Sequence, residues 1–324
     1  MEFKELGKSG IKISAIGIGT WQWGSREWGW GRRYGKSEVL EAFRTALDSG
    51  INFVDTAEIY GRGKSEEILG EAIRDHREDV VIASKIWPFN LSRRHIMRAA
   101  DRSRHRLGVD VIDLYQIHWP NPLFPIQNTM KSMRRLVEDG KVRCVGVSNF
   151  NLDRMKAAQE GLAPLELASN QVKYSMLDRG IKSELLPYAE SAKVTVIAYS
   201  PLAFGLLSGR YTPDSKPSSI IQATNYRFSK RNLIRLNSLL QVLSEVANVH
   251  GKTLSQVALN YLISSSTVVA IPGGKRPEHV ADSAGAADWR MSENESQKIS
   301  AALSTLRFDK LSGVPNLLTS IRYL

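Results

Sequence analysis

The chain has 324 residues with a single cysteine, 42% hydrophobic and 24% charged residues, and a formal net charge of +11. That length admits one large barrel or two ordinary domains, and the composition is that of a compact globular core, which excludes disordered and collagen-like chains. The lone thiol of Cys144 closes no internal disulfide and supports no thiolate metal site.

The positive charge is spread along the chain. Its densest cluster, from Arg93 and Arg94 to Arg106, has helical spacing and reads as a solvated helix face rather than a nucleic-acid surface. The opening MEFKELGKSGIKIS lacks the apolar core of a signal peptide, and no run approaches the ~18 apolar residues of a membrane span. The expected location is therefore the cytoplasm, and the expected partner is a small molecule rather than a membrane or a nucleic acid, with self-association left open.

In chain order, FKELGKSGIKIS reads as a β-hairpin turning between Gly7 and Gly10, suited to plugging the bottom of a barrel. Strand-like runs follow at 16–20, 51–55, 80–84, 111–118, 142–148, 166–171, 194–199 and 267–271, with helix-period segments in most intervals. Helices are expected over 37–49, 92–107 and 125–139, each followed or ended by a glycine: Gly50, Gly108 and Gly140. Eight strands with interleaved helices predict an α/β chain that forms one domain over 1–324, a closed parallel (β/α)8 barrel of the TIM type with an N-terminal hairpin. The intervals 20–36, with four Trp among glycines, and 200–230 are too long for simple connections and are expected to be loops walling a pocket on the C-terminal face.

The C-terminal ends of the strands in such a barrel converge on one face. Asp55 ends the second run, with Tyr60 a loop's reach beyond it; Lys85 ends the third and His118 the fourth. A phenol with an ordinary pKa near 10 donates a proton poorly unless a cation stabilises its conjugate base. Lys85 supplies that cation, Asp55 keeps it charged, and a neutral His118 orients a carbonyl oxygen by hydrogen bonding. Singly, each residue has an ordinary structural role as a loop cap, packing residue, surface charge or core histidine; their joint placement at three strand ends points to chemistry. The chain shows no metal-ligand spacing, nucleophile elbow or redox cysteine pair, so a bound cofactor must supply hydride, and reduction of a carbonyl by a nicotinamide is the simplest completion. A Schiff base on Lys85 is the rival reading of the same residues. Trp21, Trp23, Trp87 and Trp119 follow strand ends and are expected to face the substrate together with Tyr60 and His118. Aromatic walls suit apolar carbonyls and sugar faces alike.

These motifs, GINFVDTAEIYGRGKSEEILG, ASKIW, DLYQIHWP, VGVSNF, NQVKYS, YSPLAFGLLSG and AIPGGKRPEHV, occur in an order and over a span that resemble the aldo-keto reductase superfamily. The likeness is nearest in style to bacterial and archaeal vegetative-type reductases and the potassium-channel β-subunit branch. The resemblance implies a (β/α)8 barrel that binds NADP(H), with NAD(H) as the less favoured cofactor, along its C-terminal face and without a Rossmann G-x-G-x-x-G. By the same likeness Asp55, Tyr60, Lys85 and His118 are the catalytic tetrad. Ser148, Asn149 and Gln171 are expected at the nicotinamide carboxamide, Tyr199 stacked on its ring, and Gly19, Thr20 and Trp21 beside the cofactor. Ser200, Pro201, Leu202, Gly205, Leu206, Ser208 and Gly209 are expected at the pyrophosphate. Ile271, Gly273, Lys275 and Arg276 are expected at the adenosine 2′-phosphate, where two adjacent cations suit a dianion, with His279, Asp282 and Ser283 at the adenine. His279, Asp282 and Ser283 depart from the residues common in the family. The channel-subunit likeness also allows a nicotinamide-sensing subunit that does not turn over substrate.

Overall fold

The computed structural model describes residues 1–89, 91–215 and 219–313. An antiparallel hairpin of β1 (Phe3–Glu5) and β2 (Lys12–Ser14) precedes eight parallel strands: β3 (Ile18–Gly19), β4 (Phe53–Asp55), β5 (Val81–Ile86), β6 (Ile112–Ile117), β7 (Val142–Ser148), β8 (Leu167–Lys173), β9 (Thr195–Tyr199) and β10 (Val268–Ile271). Each strand pairs with the next in sequence. The two edges then meet: Gly17 N–H donates to Ala270 O at 2.8 Å, Ala270 N–H to Ala15 O at 3.0 Å and Gly19 N–H to Pro272 O at 2.9 Å. The sheet is a closed barrel, so no strand edge is left unpaired.

Helices cover the outside because the intervals carry 3.6-residue apolar periodicity. The helix Arg93–Leu107 buries Ile96, Ala99, Ala100, Ser103 and Leu107 and stops at Gly108 in the left-handed region, φ 67°. The helices Lys36–Asp48 and Ile126–Glu138 likewise precede Gly50 and Gly140, at φ 76° and 67°. Among the described residues no helix is long and apolar enough to cross a membrane.

Inside the barrel, the strand period of two carries each inward face from an apolar floor to a polar ceiling. Phe53 is followed by Asp55, Ala83 by Lys85, Leu114 by Gln116, and Ile197 by Tyr199. The floor residues pack against Leu6, Ile11 and Ile13, so the hairpin plugs the bottom as expected. Its buried Lys4 Nζ donates to the carbonyls of Ile263, Ser265 and Val268 at 2.5, 2.7 and 2.8 Å, which pins the plug to the β10 side. Higher up, Gly146 must lack a side chain: a Cβ there would come within 2.2 Å of Ser169 Oγ.

Gly7 sits at φ +60°, and a Cβ on it would meet Ala168 O at 2.7 Å. Left-handed backbone costs an L-residue about 1–2 kcal/mol before any clash is counted. Gly7→Ala should therefore destabilise the fold by at least that amount in a denaturant titration, while Gly10→Ala, with open space around its Cβ, should cost less; equal losses would contradict the plug geometry.

Candidate active site

The ends of β4, β5 and β6 bring the four sequence-predicted residues together. Lys85 Nζ donates to Asp55 Oδ1 at 2.5 Å, to Thr56 O at 2.9 Å and to the Tyr60 hydroxyl at 3.4 Å. Asp55 Oδ2 accepts from Gln171 Nε2 at 2.7 Å and from Gln116 Nε2 at 3.4 Å. Asp55 and Lys85 are fully buried. Burial pushes the Asp55 carboxyl up and the Lys85 ammonium down, and each charge opposes the shift of the other. Donors on both carboxylate oxygens and a short N–O contact are the geometry of an ion pair.

Tyr60 opens the 3-10 turn Tyr60–Gly63 and lies edge-on to His118, ring centroids 5.6 Å apart. Burial and the Asp55 charge raise its phenol well above the ordinary value of 10, so it carries its proton at neutral pH. Burial, and then the Lys85 charge, lower His118 from 6.5 to about 3, so its ring is neutral. Its Nδ1 has no hydrogen-bond partner among the described residues.

A buried network behind Lys85 escaped the sequence reading. Glu66, with no exposed surface, accepts from Ser84 Oγ at 2.5 Å and from Arg106 Nε at 2.7 Å. Arg106 therefore belongs to this network and not to a solvated basic face. Next to Glu66, Ser65 Oγ lies 3.0 Å from Thr56 Oγ1, on the residue whose carbonyl holds Lys85. The signal was present: Glu66, Leu69 and Ile73 share one helical stripe, and a carboxylate in an apolar stripe needs a partner.

The four residues open onto a cavity of about 580 Å³, within the roughly 300–1,000 Å³ of cofactor and ligand sites. Ser148, Asn149, Gln171 and Tyr199 stand on one side of it. Asn149, in the left-handed region at φ 61°, donates from Nδ2 to His118 O at 3.1 Å and accepts from Tyr199 OH at 3.0 Å. Beyond Tyr199 the backbone takes successive left-handed conformations at Ala203, Phe204 and Gly205, the kind of turn that gathers N–H groups into an anion-binding concavity. Ser200, Pro201, Leu202, Gly205 and Ser208 line this stretch. At the far end stand Arg33, Arg210, Lys275 and His279; Gly19 and Ile271, level with Asp55 and Tyr199 in the sheet, and Gly273 also line the cavity. Burial and then the charges of Arg276, Arg33 and Arg210 depress Lys275; Arg210 Nη2 lies 2.8 Å from His279 Nε2. Cations that repel one another in a half-buried pocket are relieved by an anion. A dinucleotide with a phosphate at one end fits this donor set: amides and a ring at one end, a backbone concavity in the middle and cations at the other.

Several predicted contacts lie elsewhere. Trp23 is fully buried and its indole N–H donates to Gly274 O at 2.8 Å, which holds it in the core and off the substrate wall. Thr20 is buried with Oγ1 bonded to Asp55 O and Ser65 Oγ. Leu206 belongs to the core, and Gly209 packs on Leu254, whose Cδ1 would lie 2.6 Å from an added Cβ. Arg276 is the N-cap of the helix Pro277–Ala284 and pairs with Glu278 at 3.5 Å. Asp282 accepts from Thr253 Oγ1 at 2.7 Å, and Ser283 is buried. None of these seven lines the cavity. Conversely Arg33 and Arg210, which the sequence reading passed over, do. Of the aromatic residues, Trp21, Trp87 and Trp119 line it as expected, joined by Trp28; Trp21 meets Trp28 edge-on at 5.1 Å and lies 6.4 Å from Tyr60.

The model of the aldo/keto reductase family matches residues 15–304. An uncharacterised oxidoreductase of Mycobacterium tuberculosis is 41% identical over 305 residues, covering 94% of each chain. Among solved structures, the glycerol dehydrogenase of Gluconobacter oxydans superposes with a TM-score of 0.86 at 28% identity, covering 94% of this chain and 95% of that one. An aldo/keto reductase of Klebsiella pneumoniae, solved in complex with NADP and acetate, gives 0.74 at 31% identity over 96% and 99% of the two chains.

His118 carries a linked prediction. A ring held neutral at about 3 instead of 6.5 contributes stability that is complete above pH 6.5 and is lost as pH falls toward 3. The melting temperature should therefore drop on acidification from pH 7 to pH 4, and drop less in His118→Gln, which has no proton to gain; identical drops would contradict the assignment.

Proposed function

The chain belongs to the aldo/keto reductase family, and from that premise we propose that it interconverts an aldehyde, ketone or aldose with the corresponding alcohol or oxidised product, using NADP(H) in preference to NAD(H) and Tyr60 as general acid and base. The observation that carries this reading is the fully buried ammonium of Lys85, its Nζ held 2.5 Å from Asp55 and 3.4 Å from the Tyr60 hydroxyl.

Ser148, Asn149 and Gln171 would hold the carboxamide of a nicotinamide cofactor, which when bound would supply the hydride. The protein's own groups handle the oxygen. His118, neutral, donates a hydrogen bond that orients the carbonyl and stabilises the charge growing on its oxygen. Tyr60 delivers its proton to that oxygen. The phenolate left behind would be costly in a buried site, and the Lys85 ammonium offsets that cost. Asp55 keeps the ammonium charged, and Gln171 and Gln116 keep Asp55 ionised by donating to its second oxygen. Gln171 thus spends its amide N–H on Asp55 and offers its carbonyl oxygen to the cofactor. In alcohol oxidation the same groups run in reverse.

Selection for a 2′-phosphate is supported by Lys275 and Arg210 on the cavity wall, and by the Klebsiella relative having been solved with NADP. Arg276, turned toward Glu278, contributes less.

Tyr60→Phe should lower kcat by about 10²-fold or more, the scale of a lost general acid, with NADPH binding by fluorescence titration nearly unchanged; full turnover would refute the role. Lys275→Ala should weaken NADPH binding by roughly tenfold or more, as expected for a lost charged hydrogen bond, with a smaller effect on NADH and a smaller effect from Arg276→Ala. Equal losses for both cofactors would refute the 2′-phosphate site.

A further inference from the structure

Three hydroxyls with no exposed surface meet beside the tetrad: those of Thr20, Thr56 and Ser65. Ser65 Oγ lies 2.7 Å from Thr20 Oγ1 and 3.0 Å from Thr56 Oγ1, and it donates to Thr20 O at 3.1 Å. A hydroxyl carries one proton and two lone pairs, enough for all three contacts. The cage reaches the tetrad through the main chain of residues 55 and 56. Asp55 O accepts from Thr20 N–H at 2.9 Å and lies 3.0 Å from Thr20 Oγ1. Thr56 N–H donates to Ala83 O at 2.8 Å, and Thr56 O accepts from Lys85 Nζ at 2.9 Å.

Tyr60 sits on the loop between these anchors. The loop leaves β4 after Asp55 and ends at the helix Lys64–Ala72, whose second residue is Ser65. One hydroxyl contact therefore ties the exit of the loop, at Thr56, to its return, at Ser65. The span between them is strained. Gly61, Arg62 and Gly63 take successive left-handed conformations, at φ 55°, 58° and 91°, and an L-residue such as Arg62 is disfavoured there. Strain of this kind persists only where the surroundings over-determine it. On one side Gly61 backs onto the main chain of Gly24, where an added Cβ would lie 2.9 Å from Gly24 O. The other restraint is the cage. We propose that Ser65 is a positioning residue for proton delivery: its hydroxyl closes the loop that carries Tyr60 and so fixes the phenol against the Lys85 ammonium, at the 3.4 Å contact between them. Ser65 does not line the cavity, so it acts through Thr56, Thr20 and the loop rather than on substrate or cofactor.

The inference rests on the reading of Tyr60 as general acid, and the test separates the two. The enzyme–NADPH complex is mixed with propanal, and separately with benzaldehyde, and the single-turnover decay of NADPH fluorescence is followed. Misfolded protein lowers the amplitude of that decay and leaves its rate constant alone. Ser65→Ala should slow the decay about tenfold, the scale of one buried hydrogen bond, with NADPH affinity unchanged. Thr56→Val keeps the shape of the side chain and removes one arm of the cage; it should slow the decay similarly, and Thr56→Ser should recover most of the loss. The double variant Ser65→Ala/Thr56→Val should be no slower than the slower single variant, because both break the same cage. Should Ser65→Ala fail to fold, Thr56→Val, Thr56→Ser and Thr20→Val carry the same readings. A wild-type rate in the hydroxyl-deleted variants, a rate loss matched by weaker NADPH binding, no recovery in Thr56→Ser, or losses that multiply in the double variant overturns the positioning role. No NADPH oxidation by the wild type with either aldehyde overturns the carbonyl-reductase reading itself, and an undiminished rate in Tyr60→Phe overturns the role of Tyr60.

Discussion

A lysine ammonium with no exposed surface is the constraint around which the upper barrel is arranged. Removing an ion from water costs several kcal/mol even after relaxation, and here Lys85 and Asp55 are both removed. Their pairing persists because four strands contribute to it: Asp55 from β4, Lys85 from β5, Gln116 from β6 and Gln171 from β8. Parallel strands in register place Asp55 beside Ala83 and Lys85 beside Gln116, so the pair and its amide donors depend on the pairing of these strands. Tyr60, half-buried on the loop above, is the group that faces both the ammonium and the cavity.

The same arrangement explains why the barrel is apolar below and polar above. The hairpin plug and the inward floor residues exclude water from beneath the pair, which strengthens its electrostatics. Around the back, Glu66 and Arg106 place a second ion pair behind the strand that carries Lys85, with Ser84 as the bridge. The positive residues at the far end of the cavity repel one another, and that repulsion is the reserve an incoming phosphate releases. One cavity thus holds a tightly paired reaction end and a cation-rich anion end, a division suited to a long cofactor and a short substrate.

Much of this was legible from residue order. Buried parallel strands are nearly continuous apolar runs, so β4 to β10 fall within a few residues of the expected positions, and the tetrad follows from their ends. The first strand was expected over 16–20 yet is regular only at Ile18–Gly19, because it closes the barrel through separate bridges from Ile16 to Ala270 and Gly19 to Gly273. Side-chain direction was the harder quantity. Trp21 and Trp23 both follow a strand end, but a loop has no fixed period, and the bond to Gly274 O draws Trp23 inward. Lys275 and Arg276 are adjacent and diverge for a similar reason: Arg276 caps a helix whose first turn offers it Glu278. Arg33 and Arg210, which line the same cavity as Lys275 and whose charges act on it, are 177 positions apart in the chain and carried no local signal. Roles at the cofactor came from family likeness rather than from spacing.

The measurement that bears most directly on the Asp55–Lys85–Tyr60 coupling is the pH profile of kcat for carbonyl reduction in the wild type and in Asp55→Asn. Burial lowers the Lys85 ammonium and Asp55 raises it; an amide at position 55 keeps the shape and removes the charge. If Lys85 must be charged for Tyr60 to give up its proton, the basic limb of the profile should move down by about one unit or more in the variant. A basic limb at the same pH in both proteins would contradict the account.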